Sequence, residues 1–129
     1  MLSNKDSMAK TYRELIVWQK AMELALSIYK LTSDFPHQEQ YGLISQIRRS
    51  AVSVPSNIAE GCGRLKTGEY AHFLGIARGS LFELQTQLEL ARRLGFGDQT
   101  LIQTADDISQ EVAKMIHAVL ESLKRDRTA

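Results

Sequence analysis

The chain has 129 residues, of which 43% are hydrophobic and 7% aromatic, and its formal net charge is +1. This favours one domain with a packed core, and the scarcity of proline and glycine argues against a sandwich or barrel. A single cysteine excludes a disulfide framework, and no apolar run could span a bilayer or act as a signal peptide, so we expect a cytoplasmic protein with no membrane partner.

The first predicted helix runs from about Tyr12 to Leu31, after an N-terminal extension over residues 1–11 that we expect to be flexible. Two apolar stripes follow it at spacings of three and four: Leu15, Trp18, Met22, Ala25 and Tyr29, and Val17, Ala21, Leu24, Ile28 and Leu31. Two stripes make a face wider than one coiled-coil seam. One of them therefore packs either on a second helix of the same chain or on another subunit.

The second predicted helix runs from about Gln38 to Gly61 and contains Pro55. A proline inside a helix loses one backbone hydrogen bond and crowds the carbonyl one turn earlier. We therefore predict that this helix is kinked near Pro55.

The third predicted helix, Thr67 to Leu94, carries a heptad-like apolar seam, and the fourth runs from Gln99 to Lys124. Residues 125–129 are expected to fray. Short connections make neighbouring helices antiparallel. The sequence therefore predicts an all-α fold, an antiparallel up-down-up-down four-helix bundle over residues 12–124.

Catalytic and metal-binding motifs are sparse. Glu69 and His72 form one Glu-x-x-His motif, whereas di-iron bundles need two such motifs and two further carboxylates. Cys62 is expected near a helix C-terminus, where the helix dipole disfavours a thiolate. No nucleophile elbow or phosphate-binding loop is present. We expect no enzyme activity, no catalytic residue, no metal and no cofactor.

Net positive charge is concentrated in the middle of the chain, where residues 41–93 hold seven basic and four acidic side chains. Three basic clusters in this region are candidates for phosphate contacts with nucleic acid: Arg48 and Arg49, Arg64 and Lys66, and Arg92 and Arg93. Three clusters on one small chain are weak evidence, but a symmetric oligomer would repeat them around a ring.

Two further features concern the second and third helices. A polar cluster is predicted to fix these helices against each other, formed by Ser53, Asn57, Glu60, Arg78, Ser80 and Glu83. The third helix also carries a ridge of small residues, formed by Ala71, Gly75 and Gly79. We expect a neighbouring helix to pack closely on this ridge, with a ligand or another subunit as the alternatives.

Several runs of residues resemble the 23S ribosomal RNA intervening-sequence protein family over nearly the whole chain, from about Tyr12 to Leu123. The most distinctive run is Ser53–Gly61, SVPSNIAEG. The others are Leu15–Ala21, Tyr41–Leu43, Gln46–Ala51, Phe73–Leu74 and Ala77–Leu84.

The resemblance implies a homopentameric ring of antiparallel four-helix bundles with no established catalytic residues. A similar branch comprises accessory proteins of diversity-generating retroelements, which bind nucleic acid and a reverse transcriptase. The resemblance and the basic clusters together indicate a non-enzymatic homo-oligomer that binds RNA or DNA. The alternative is a protein–protein interaction scaffold without nucleic-acid binding, favoured by the near-zero net charge and the broad apolar face of the first helix.

Overall fold

The computed structural model describes residues 11–128 and contains four α-helices. They are α1 (Ile16–Thr32), α2 (Leu43–Cys62), α3 (Thr67–Leu94) and α4 (Gln99–Thr128). Short 3-10 helices at Tyr12–Glu14 and His37–Glu39 precede α1 and α2, and the described residues contain no strand. The predicted all-α four-helix fold is confirmed. The predicted N-terminal extension lies outside the described residues apart from Thr11.

The helix boundaries differ from the predicted ones mainly at the start of α1 and α2. The Thr11 side chain accepts a hydrogen bond from the Arg13 N–H, and the chain makes a 3-10 turn there before α1 begins. Ahead of α2, a second 3-10 turn follows Pro36, and a Glu39 carboxylate oxygen accepts the first N–H of the helix at 3.2 Å. Leu15 and Gly42, the residues directly before α1 and α2, have non-helical backbone angles, so each helix begins only after them.

α2 continues through Pro55 to Cys62, and α4 extends to Thr128, four residues beyond its predicted end. The kink near Pro55 stays a prediction. Within residues 11–128, no helix combines the length and the apolar content that a membrane crossing requires.

The helices pack in a closed cycle, with α1 on α2, α2 on α3, α3 on α4, and α4 back on α1. α2 and α3 run antiparallel: Ser50 contacts Glu83, whereas Ser53, three residues later in α2, contacts Ser80, three residues earlier in α3. The seam predicted for α3 is buried along its whole length: Tyr70, Leu74, Ala77, Leu81, Leu84, Leu88 and Ala91. Each large apolar side chain buried in this way stabilises the fold by about 1.5–3 kcal/mol.

α2 and α3 approach closely at Gly61, the next-to-last residue of α2. A Cβ atom at this position would lie 2.8 Å from the Cβ of Phe73 and 3.3 Å from the backbone oxygen of Tyr70. These distances are shorter than normal carbon contacts. Only glycine therefore fits at this crossing without moving α3.

An ion-pair group links α1 to α4. Lys20 Nζ lies 3.1 Å from Glu111 Oε2 and 3.3 Å from Glu23 Oε2. Hydrogen bonds to Glu111, and then to Glu23, raise the pKa of Lys20 above its ordinary value of 10.5. Because the side chains are partly exposed to water, these ion pairs contribute little to stability. The Lys20–Glu111 pair shows which faces of α1 and α4 are in contact.

Candidate nucleic-acid interface

Arg48 and Arg49 lie next to each other on α2 and differ in their surroundings. Arg48 is half-buried: its Nε donates a hydrogen bond to Thr32 Oγ1 at 2.8 Å, and its guanidinium carbon lies 4.5 Å from the centroid of the Tyr29 ring. The Thr32 hydroxyl donates its own proton to the Ile28 carbonyl at 2.7 Å, which leaves its lone pairs for Arg48. The guanidinium is therefore held in place from α1.

Arg49 points into solvent, and within residues 11–128 it has no hydrogen-bond or ion-pair partner. Arg48 likewise has no carboxylate within salt-bridge distance in that part of the chain. Two adjacent guanidinium groups without an internal counter-ion leave their charge available to an external anion. Arginine binds phosphate particularly well because its planar N–H groups can form two parallel hydrogen bonds.

The second basic cluster lies in the connection between α2 and α3. Arg64 Nη2 donates to Glu60 Oε1 at 2.7 Å, and its guanidinium carbon lies 4.9 Å from the centroid of the Phe73 ring. Lys66 precedes the first residue of α3, is exposed, and has no ion-pair partner in the described chain. Of this pair, only Lys66 carries a charge that no internal carboxylate balances.

The third cluster closes α3 and shares one carboxylate. Arg93 Nε lies 2.9 Å from Glu89 Oε2, and Arg92 Nη1 lies 3.7 Å from Glu89 Oε1. Arg92 also donates to Gln103 Oε1 of α4 at 3.3 Å. The side chain of Arg93 remains 78% exposed. The cluster therefore presents one unbalanced positive charge, placed favourably at the negative end of the α3 dipole.

The structure does not bring the three predicted clusters into one patch on a single chain. Arg92 lies 26 residues after Lys66 along α3, which corresponds to about 39 Å of helix. Arg48 and Arg49 lie between these two ends, on α2. A nucleic acid that touches all three clusters of one copy would have to follow the length of the bundle.

Half of the predicted polar cluster is assembled between α2 and α3. Ser53 Oγ and Ser80 Oγ lie 2.8 Å apart, and Asn57 Nδ2 donates to Ser53 O at 2.8 Å and to Ser53 Oγ at 3.0 Å. All three side chains are half-buried. The Ser53–Ser80 hydrogen bond joins α2 to α3 at this point, and Asn57 supports it from the same side of α2.

The remaining predicted members have other partners. Glu83 Oε1 accepts from Ser50 Oγ at 2.9 Å and from Gln87 Nε2 at 3.3 Å, and both of these partners are buried. Glu60 pairs with Arg64, and Arg78 lies over the Phe82 ring, so neither joins the cluster. Sequence reasoning missed Ser50 and Gln87 as members, although each lies one helical turn from a predicted one.

Gly75 and Gly79 do not contact a neighbouring helix. A Cβ atom built at either position would have nothing within 4 Å in the described chain, and both glycines are exposed. The expected close packing of a helix of the same chain is therefore wrong. The bundle itself gives no reason for glycine at these two positions, where alanine would make a more stable helix.

The two apolar stripes of α1 have different environments. The stripe through Leu24 and Ile28 is fully buried in the core. Four residues of the other stripe line a groove of about 400 Å³ between α1 and α2, whereas its first residue, Leu15, is buried in the core. Leu26, which belongs to neither stripe, is 67% exposed in this groove. The groove is lined by Tyr12, Trp18, Met22, Ala25, Leu26, Tyr29, Val52, Pro55, Ser56 and Ala59. The apolar face of α1 is wide because one stripe packs in the core and most of the other lines this open groove.

Residues 11–128 contain no group of three or more histidine, cysteine, aspartate or glutamate side chains that could hold a metal ion. His72 packs edge-on against Phe73, with ring centroids 5.4 Å apart. The sequence motif Glu69-x-x-His72 therefore does not correspond to a metal-ligand cluster.

A solved structure and a family model are similar to this chain. The chain is similar to a crystal structure of a protein with unknown function from the S23 ribosomal protein family of Bacteroides thetaiotaomicron, with 25% identity and a TM-score of 0.73. That similarity covers 81% of this chain and 98% of the other. No curated protein matches. The sequence model of the 23S rRNA-intervening sequence proteins matches residues 13–118. The chain therefore belongs to the 23S rRNA-intervening sequence protein family.

Proposed function

We propose that the protein is a non-enzymatic, homo-oligomeric adaptor that binds RNA or DNA through contacts to phosphate groups. The observation that carries the proposal is the Arg48–Arg49 pair, two adjacent guanidinium groups without a carboxylate partner in the described chain. Contacts to phosphate supply most of the sequence-independent affinity for nucleic acid. The proposed binding is therefore strongly dependent on salt and weakly dependent on base sequence.

The environment of Arg48 supports this role. Its Nε is used by Thr32 and one face of its guanidinium by Tyr29, which leaves the two terminal nitrogens for a ligand. A side chain that is already fixed loses less conformational entropy on binding than a free one. Arg49 and Lys66 then add long-range attraction from solvent-exposed positions.

The groove between α1 and α2 supports the proposed oligomer. Met22, Leu26, Tyr29 and Val52 are exposed there, and a contiguous apolar surface of this kind commonly marks a protein–protein contact. A second copy of the chain would cover these side chains, and a pentamer is the form that the family resemblance implies. Repetition around such a ring would bring together clusters that lie far apart on one copy.

Titration of a fluorescently labelled structured RNA tests the nucleic-acid proposal. Arg49→Gln should weaken binding and lower the slope of log affinity against log salt by about one. Lys30→Gln is the charge-matched control, because Lys30 is exposed on α1 and lies outside the candidate set. Equal effects of the two variants would show that net charge, rather than the Arg48–Arg49 site, determines the affinity.

The exposed groove also favours a second candidate, a scaffold that binds proteins and no nucleic acid. In that case a protein partner should stay bound in a nuclease-treated lysate. Glutamate substitutions at Arg48, Arg49, Arg92 and Arg93 should leave that binding intact. Loss of the partner after nuclease treatment would instead favour the nucleic-acid adaptor.

A further inference from the structure

A second basic surface lies between α3 and α4, away from the three predicted clusters. A cavity of about 300 Å³ opens there, and we call it the α3–α4 pocket. It is lined by Arg78, Phe82, Ala113, Lys114 and His117. Its volume is at the lower end of the range of pockets that hold small organic groups. The sequence predicts Arg78 as a member of the polar cluster and predicts no site role for the other four residues.

The positive charge of Arg78 and Lys114 is not neutralised by any carboxylate in the pocket. No aspartate or glutamate lines it. Arg78 and Lys114 are exposed, and neither has a carboxylate within salt-bridge distance in residues 11–128. The pocket is therefore suited to an anionic group.

An open aromatic surface lies beside these charges. Phe82 is 49% exposed, although large aromatic side chains are usually mostly buried. The Arg78 guanidinium carbon lies 5.5 Å from the centroid of the Phe82 ring, a cation–π distance. An aromatic ring next to free cations is the arrangement that binds unpaired bases, because every base has a π face that can stack and a phosphate next to it.

We propose that the α3–α4 pocket binds one unpaired base of a single-stranded nucleic acid together with its neighbouring phosphate. Phe82 stacks on the base, and Arg78 and Lys114 contact the phosphate. A base inside a duplex is stacked between its neighbours and cannot reach Phe82 without being flipped out. This inference rests on the proposed function and adds to it a preference for single strands over duplexes.

Fluorescence anisotropy with a single-stranded oligonucleotide and a duplex of equal length tests this preference. Phe82→Ala should weaken single-strand binding by about 5- to 150-fold, the usual loss when one stacking ring is removed, and leave duplex binding unchanged. Ile76→Ala is the matched control, since Ile76 lies on the same helix, is 40% exposed and is not part of the pocket. An unchanged single-strand affinity in Phe82→Ala, or an equal loss for both nucleic acids, would overturn the inference.

A tryptophan placed at position 82 reports on stacking directly. The oligonucleotide should quench the fluorescence of the Phe82→Trp protein beyond the quenching of Ile76→Trp, because both retain the same background from Trp18. Equal quenching of the two proteins would contradict stacking in the pocket. Circular dichroism of each variant verifies that the helices remain folded, so a loss of binding is not a loss of fold.

The two proposals fail in different ways. If both nucleic acids bind with salt dependence through Arg49 and Phe82→Ala binds single strands like wild type, the pocket inference is wrong and the adaptor function stands. If neither nucleic acid binds at low salt, both are wrong. If single strands bind and Phe82→Ala weakens that binding while Ile76→Ala does not, both are supported.

Discussion

Substitution of Gly61 by alanine tests how closely α2 and α3 pack. The new methyl group would lie 2.8 Å from the Cβ of Phe73, 3.0 Å from a Tyr70 ring carbon and 3.3 Å from the Tyr70 carbonyl oxygen. Overpacking of this kind costs about 1–3 kcal/mol, and the higher helix propensity of alanine offsets at most about 1 kcal/mol. We therefore expect Gly61→Ala to lower the free energy of unfolding by about 0.5–2 kcal/mol.

Gly75→Ala is the matched control for this experiment. Gly75 lies inside α3 with nothing within 4 Å of an added Cβ in the described chain, so only the helix-propensity term applies. This variant should be more stable than wild type by up to about 1 kcal/mol. Urea denaturation followed by circular dichroism measures both changes. If Gly61→Ala stabilised the protein as much as Gly75→Ala does, the close approach of α2 and α3 would be refuted.

Three further predictions concern the polar cluster, the groove and the α1–α4 ion pairs. Asn57→Leu should lower stability by about 0.5–1 kcal/mol in urea denaturation, because Asn57 is half-buried and donates only to Ser53; an unchanged midpoint would show that the side chain is fully solvated. Leu26→Lys should reduce the molar mass in light scattering and leave the helix content intact, whereas Leu90→Lys, at a similarly exposed site outside the groove, should not. An unchanged mass in Leu26→Lys would exclude the groove as the subunit contact. The raised pKa of Lys20 means that its contribution to stability is complete below pH 10.5 and is lost as the pH rises through the folded-state pKa. Wild type should therefore lose more stability than Lys20→Met in strongly alkaline solution, and parallel losses would contradict the assignment.

The fold follows from the sequence because the apolar spacing of each helix is long and regular. The seam of α3 from Tyr70 to Ala91 is buried where the heptad-like pattern predicts it. The starts of α1 and α2 are harder to predict, because a short 3-10 turn takes the place of the first turn of each predicted helix. Such a turn is not visible in a hydrophobic pattern.

The candidate site is only partly predictable for a different reason. Sequence reasoning identifies basic residues, but it does not show which of them a carboxylate balances. Glu60 neutralises Arg64 and Glu89 is shared by Arg92 and Arg93, whereas Arg49 stays unpaired. The α3–α4 pocket is also hidden in the sequence, because it joins two residues of α3 to three residues of α4 that lie 31 to 39 positions later in the chain.

The dependence of nucleic-acid affinity on salt tests the central proposal most directly. The affinity of the wild-type protein for a structured RNA should be measured over a series of salt concentrations. Binding through phosphate contacts predicts that log affinity falls linearly with log salt, with a slope of about −0.9 for each contact to a duplex. An affinity that does not change with salt, or no binding even at low salt, would contradict a nucleic-acid adaptor.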